Sequence, residues 1–596
     1  MLKGNNNSQL VQIGVKEKVC FFYQIWQELV TPQTLVVYQY RVLTSLSALE
    51  ELIKVIEKTL EGLFNSDANI EACREETLYI LNKDIIMKKY YGAVCNRLRS
   101  SLGNKPKTDA DKRRLKYQLT YMVHEIKETY LKNLLQELKK NIQEGSEEAI
   151  ELNTNSVVSQ AINNGWSAQA LFDLLRFFRN DKEFEQQWES FSTALINTEK
   201  VRHEVLINIP FKRQEVEEQN KAVETLQKLG LGIETYAVLV SAFRDIEDIG
   251  RLLKAEKRYF HISVNAYDVY TAAHIAVSEI AEKLNMASFY NLVSAWDLSS
   301  VIIVSINGIS KYHKSFPAEQ LYQTYDYIES SGRVFDNTIN IFLDENKKEI
   351  REKLQGSFSY TNISRASLFQ EEKYMNLWVA LESLARTDIY NDIITNIKAT
   401  VPAAVSLRYV YRILRNYVED CNRCQVSLEF STCSMDTRQE SKQKMVREAI
   451  EVFCDDDLYM ELLQKCQVSS LLKYRTESIH AMLRNTSILK DKVKNHFRRV
   501  EWQIQRLYRI RNEIAHAALQ EKTSLLVYIE HLYDYLTVYI TEIVTCLCEK
   551  QTDSIEEALC LIKDNYEVFI AFVENEEEHI LKRTVLKTGV IDMITE

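Results

Sequence analysis

The sequence predicts a mainly α, multi-domain protein with a small α/β domain in its middle and a helical bundle at its C-terminal end. Three observations carry this. The 596-residue chain has 14 Gly and 5 Pro, where average usage would give roughly 40 and 30. Both residues mark turns and weaken helix interiors, so a long chain short of them is built from long helices. Apolar residues recur at three-and-four spacing over most of the length, and two-residue alternation replaces it only between about 200 and 315. The length also exceeds what one core serves. The chain is therefore divided into a helical region at 1–200, an α/β domain with a helical linker at 201–365, and a helical domain at 366–596.

In the first region Leu46, Leu49, Leu52, Ile53, Ile56 and Leu60 form one buried helix face. The segment 101–111, with Gly103 and Pro106, reads as an exposed connection, and 143–159 is a second polar stretch. Ser167 is placed to cap a helix carrying Leu171, Leu174, Leu175 and Phe178. No chemical cluster appears here, which suits a helical scaffold or partner-binding module. From about 203 the texture changes. Val205, Ile207, Ile209 and Phe211 alternate as in a strand, and so do Phe260, Ile262, Val264 and Ala266, while 300–306 is a β-branched run. Helical segments at 214–228 and 268–284 lie between them. Helix returns from about 366: Tyr374, Leu377, Trp378, Leu381, Leu384 and Ala385 make an apolar stripe beside Glu382. Further helices are predicted at about 402–420, 441–468, 498–518, 523–550 and 556–574.

Composition narrows the function. The first ten residues carry no apolar run of the secretory kind, and the longest apolar stretches are too short to span a bilayer. Eleven scattered Cys fit reduced thiols in a cytoplasmic protein. A net charge of −10 requires any nucleic-acid contact to come from a local basic patch. The pair Cys421 and Cys424, with Cys433 beyond, invites zinc. There is no second such pair, however, and no His lies between 313 and 480, so ordinary thiols are expected. Asp455, Asp456 and Asp457 read as the acidic start of a helix. Gly230-Leu-Gly232 lacks the third glycine of a dinucleotide site, and neither a nucleophile elbow nor a phosphate-binding Walker loop occurs. A rival reading places the activity in the α/β domain; no constellation there supports it, although His261, Asp268 and His274 lie close in sequence.

The segment 489–519 stands apart. Between 490 and 511 it holds eight Lys or Arg against Asp491 and Glu501, a local charge of +6. Charge alone fits two readings equally: a solvated helix face with its aromatics in the core, or an RNA contact in which Arg498, Arg499 and Arg506 meet phosphates and Phe497, Trp502 and Tyr508 pack or stack on bases. The same run ends in Arg511-Asn-Glu-Ile-Ala-His516. His moves protons near neutral pH, Arg is a permanent forked cation for phosphate oxygens, and Asn512 can orient either. Together they suit metal-independent cleavage of RNA by its own 2′-OH, with no cofactor. On a single helix Asn512 and His516 share a face, and Arg509 falls near His516. Arg511 is turned about 140° away from His516, so two copies facing each other would complete the site.

An Arg followed by a polar residue and, with four residues between, by His resembles the signature of the HEPN superfamily. The surrounding runs Arg506-Leu-Tyr-Arg-Ile-Arg-Asn-Glu-Ile-Ala-His516 and Tyr374-Met-Asn-Leu-Trp-Val-Ala-Leu-Glu-Ser-Leu-Ala385 look like the Apea-like HEPN families of bacteria. The likeness covers roughly the last 230 residues. It implies a HEPN helical bundle, a homodimer, and an endoribonuclease of the toxin or abortive-infection kind, with Arg511, Asn512 and His516 catalytic. Glu382 and Arg509 would support them, and a phage-derived trigger or an antitoxin is implied as a partner. The alternative it implies is an inactive HEPN scaffold that binds nucleotides, RNA or proteins. Arg475-Thr-Glu-Ser-Ile-His480 has the same spacing without the flanking runs and reads as coincidence.

Overall fold

A computed structural model describes residues 17–575, apart from 210–215, 245–248, 290–300, 307–312, 318–331, 436–441, 518–524 and scattered gaps of one or two residues. The fold is mainly α. Among the described residues no helix is long and apolar enough to cross a membrane.

The N-terminal region packs α1 (Glu17–Val30), α2 (Ser45–Leu60), α3 (Ala68–Lys83), α4 (Asp109–Glu144) and α5 (Glu147–Asn163) around one core. α1 is buried along almost its whole length, and its Trp26 Nε1 donates to the Leu171 carbonyl at 2.9 Å. Thr44 caps α2, with Ser47 answering it in a capping box. Leu46, Leu49, Leu52 and Ile56 are buried, whereas Ile53 and Leu60 are only partly covered. Thr108 and Asp111 form the same device at the head of α4, so the polar connection at 101–111 ends as a helix cap. The polar stretch at 143–159 is largely α5. Ser167 does cap the following helix, accepting from the amide of Ala170.

The middle domain is a five-stranded antiparallel sheet. Its strands are β1 (Val201–Asn208), β2 (Ile233–Thr235), β3 (Arg258–Ala266), β4 (Val301–Ile306) and β5 (His313–Pro317), in the order β2-β3-β1-β4-β5. α6 (Val216–Lys228) joins β1 to β2, and α7 (Val269–Phe289) joins β3 to β4. β1 is thus inserted between β3 and β4, which is a split β-α-β arrangement with one added edge strand. Val201 pairs with Ala266 and Asn208 with Tyr259, and this register turns Val205, Ile207, Phe260, Ile262 and Val264 toward α7. Phe211 of the expected first strand lies outside the described residues. The Gly230-Leu-Gly232 run has a structural use. Gly230 turns the chain at φ +77°, and a Cβ on Gly232 would stand 2.6 Å from the His261 carbonyl oxygen.

The C-terminal bundle contains α8 (Lys348–Ala366), α9 (Gln370–Ala385), α10 (Ile393–Leu407), α11 (Tyr409–Arg423), α12 (Ser470–Arg484), α13 (Thr486–Ala517), α14 (Leu526–Glu549) and α15 (Ile555–Asn575). Ile341, Ile350 and Leu354 join its core, so the helices from 332 to 366 belong with this bundle rather than with a linker. The predicted start at Pro402 is also corrected: Asp392 caps α10, and Pro402 lies inside it. Asp455 likewise caps a helix, its carboxylate accepting from the amides of Asp457 and Leu458.

Candidate functional site

α13 carries the Arg511–His516 run and continues unbroken from Thr486 to Ala517. Its length follows from its sequence, which has neither Gly nor Pro over 32 residues. Two sides of this helix are held by different parts of the protein.

One side faces α9. Tyr374 donates its hydroxyl to the Leu507 carbonyl, and Trp378 packs at a tilt on Tyr508 with ring centroids 5.9 Å apart. Trp378 Nε1 donates to Glu382 Oε1 at 2.6 Å. That carboxylate oxygen stands 3.9 Å from Arg511 Nη2. Arg511 Nη1 donates to Asn512 Oδ1 at 3.1 Å, while its Nε is buried with no hydrogen-bond partner among the described residues. Glu382, Arg511 and Asn512 are therefore contiguous, and the Arg511 side chain is only 28% exposed. Position 516 is one turn beyond Asn512 on the same helix; the side chain of His516 lies outside the described residues.

The other side faces the N-terminal region. Arg506 Nε sits 3.0 Å from both Glu51 oxygens, and its Nη2 bonds Glu76 at 2.5 Å. Arg509 also bonds Glu51, and Lys58 pairs at 2.8 Å with Glu513, which is inside the motif itself. Burial works to raise the Glu51 carboxyl, but Arg506 and Arg509 hold it below its ordinary range. Burial raises Glu76, with Arg506 opposing and Glu51 adding to the rise. The local sequence makes Arg506 an RNA contact and Arg509 a support. The structure corrects the setting of both: they are buried at 3% and 4% side-chain exposure, held by carboxylates more than 400 residues away in sequence.

The rest of the basic run divides in the same way. Lys490 and Lys494 pair with Glu574, Lys492 bonds Ser478, and Arg498 and Arg499 remain exposed. The aromatics expected to pack or to stack bases are packing groups. Phe497 stacks on Tyr566 at 4.7 Å, and Trp502 lies against Tyr79 at 5.3 Å.

A buried chain of bonds ties α14 into this seam. Arg506 Nη1 donates to Gln503 Oε1 at 2.6 Å, and Gln503 Nε2 donates to His531 Nδ1 at 2.9 Å. Burial lowers His531 to about 4, partly opposed by Asp534. The folded protein therefore holds His531 neutral, and protonation would remove the acceptor that Gln503 uses. Its contribution to stability is complete above the ordinary His range and is lost as pH falls toward 4. Chemical denaturation at pH 7 and pH 4 is expected to show a loss of roughly 3 kcal/mol from this group. His531→Gln, which keeps an acceptor without titrating, is expected to remove that part of the pH dependence; an unchanged pH profile would refute the assignment.

The rival candidates have structural roles. Arg475 is buried between Glu28 at 2.8 Å and Glu151 at 2.7 Å, and the His480 ring lies flat on Tyr459 at 3.6 Å. Asp268 caps α7 through the amides of Tyr270 and Thr271 and also binds Ser167. His261 instead pairs with Glu204 at 2.9 Å on the sheet, while burial lowers His274 to about 4, partly opposed by Asp268. Cys421 is fully buried beside Tyr417 and Cys466, and among the described residues no three His, Cys, Asp or Glu side chains converge as a metal site. Compared with known proteins, the chain matches no family model, no curated protein and no solved structure.

Proposed function

We propose that this chain is a metal-independent endoribonuclease of the HEPN kind, in which Arg511, Asn512 and His516 act on RNA. The observation that supports it most is the contact between α9 and α13. Two segments singled out by resemblance, far apart in sequence, meet through Trp378, Glu382 and Arg511. Glu382 holds the guanidinium from behind, which leaves Arg511 and Asn512 at the partly exposed end of the helix that carries His516.

In the proposed reaction the RNA 2′-oxygen attacks the adjacent phosphorus as the bond to the 5′-oxygen breaks. A proton leaves the 2′-OH and one is delivered to the departing 5′-oxygen, and His516 is the group suited to that transfer. Arg511 stabilises the charge that builds on the phosphoryl oxygens. Arg511 and His516 project from one helix about 140° apart, so a second copy paired through α13 supplies the missing half of the cleft. The protein works in the cytoplasm as a toxin or abortive-infection effector, and a phage-derived trigger or an antitoxin sets its activity.

The test is the chemistry of the ends. Purified protein in EDTA is expected to cut labelled RNA to 2′,3′-cyclic phosphate and 5′-OH termini and to leave the all-deoxy strand intact. Products with 3′-OH and 5′-phosphate ends, or activity abolished by EDTA, would overturn the proposal.

A further inference from the structure

The seam between the N-terminal region and the bundle mixes aromatic and apolar contacts, such as Trp502 on Tyr79 and Tyr474 on Phe21, with many charges. Each side has its own apolar core, running from Val19 to Leu195 on one side and from Ile341 to Val573 on the other, with Leu471 of α12 reaching into the first. Much of what crosses between them is polar: the Glu51–Arg506–Glu76 and Glu51–Arg509 pairs, Lys58 with Glu513, Gln505 Nε2 donating to Asn69 Oδ1 at 2.8 Å, and Arg475 with Glu28 and Glu151. Taking charges out of water costs nearly as much as their attraction returns, so such a seam parts more readily than an apolar one of equal size.

Arg506 and Arg509 are one turn apart on the helix, directly before the motif; Arg509 shares a side with position 516, and Arg506 is turned about 80° from it. Carboxylates seated on guanidinium forks occupy the place, and present the oxygen geometry, that phosphate oxygens would take. We propose that Arg506 and Arg509 form a binding site for RNA phosphodiesters that Glu51 and Glu76 mask, so that α2 and α3 act as an internal competitor of RNA. Parting the seam exchanges carboxylate for phosphate on the same two guanidiniums and brings the RNA backbone onto the motif helix. The proposal rests on the reading of the chain as an RNA-cleaving protein, but it concerns binding, and it is tested by binding.

The experiment measures affinity for a labelled single-stranded RNA over a salt series, with His516→Ala in every protein so that nothing is cut. Glu51→Gln with Glu76→Gln keeps side-chain size and removes the competing charge. This variant is expected to bind at least about 10-fold more tightly. Its salt dependence should steepen by about 1.4 in log–log slope, the share of two phosphates on a single strand. Adding Arg506→Gln and Arg509→Gln should return both quantities to the parent values. An unchanged affinity and slope in a variant that melts like its parent would overturn the proposal, as would a gain that survives loss of both arginines. Should the variant fold poorly, hydrogen exchange on the His516→Ala protein decides. RNA should speed exchange in 45–60 and 68–83 and slow it in 505–514, and no change in either would overturn the proposal. If RNA is bound in this way but the cleaving protein yields no cyclic phosphate, the nuclease reading fails and the masked site stands. If RNA is cleaved to cyclic phosphate but binding does not change, the masked site fails and the nuclease reading stands.

Discussion

Replacing His516 by alanine is expected to reduce RNA cleavage by about 10²–10⁴-fold, the usual worth of a positioned proton-transfer group. Arg511→Ala should fall in the same range, because a permanent cation at the developing phosphorane is worth most where water is excluded. Arg511→Lys should recover little. A lysine ammonium cannot spread across Glu382, Asn512 and a phosphate as the guanidinium fork does. Glu382→Gln should cost less than either, since Trp378 Nε1 can still donate to the amide oxygen and keep the side chain in place. The control is built into the sequence. His480 has the same spacing from Arg475, but its Nδ1 lies 2.9 Å from the Phe453 carbonyl oxygen and its ring is stacked on Tyr459. His480→Ala should cleave at the parent rate. Rates measured for these variants under single turnover decide the matter; equal rates for His516→Ala and the parent would remove His516 from the chemistry.

How far the sequence can be read depends on how local each feature is. The Arg511–His516 run is legible because its residues follow one another on one helix, and the apolar stripe of α9 because it repeats every three or four positions. Strands β1 and β3 announce themselves by alternation, whereas β2 and β5, with 3 and 5 residues, are too short to carry a period. The sequence pattern starts α13 at 498 instead of Thr486 because the intervening lysines obscure the buried Leu489 and Val493. The basic patch misleads for a deeper reason. Counting charges along the chain gives +6, but Glu51, Glu76 and Glu574 arrive from distant helices and neutralise part of it. Nothing in the local sequence distinguishes Arg506, which is buried, from Arg499, which is exposed. On α2 the only trace is that Glu51 and Lys58 are seven residues apart and so share one side of the helix.

Glu542→Ala is expected to be the most damaging single change to the bundle, lowering its stability by about 3–5 kcal/mol. Arg408 and Glu542 pair deep inside it, at 5% and 6% side-chain exposure, joining the end of α10 to α14. Removing the carboxylate leaves the guanidinium buried against the Tyr411 ring, with its principal counter-charge gone. Replacing both partners, as in Arg408→Met with Glu542→Leu, should restore most of the loss, because two apolar side chains need no counter-charge. Denaturant unfolding of the two proteins measures the difference, and equal loss in both would show that packing rather than charge is what Glu542 contributes. Glu51 sits in a different setting. Its partners Arg506 and Arg509 are buried as deeply, yet they lie between two cores instead of inside one. There the protein can answer a missing carboxylate by letting the seam part and water reach the arginines. Inside the bundle Arg408 is enclosed by one core, so the same chemical change is met by a loss of stability.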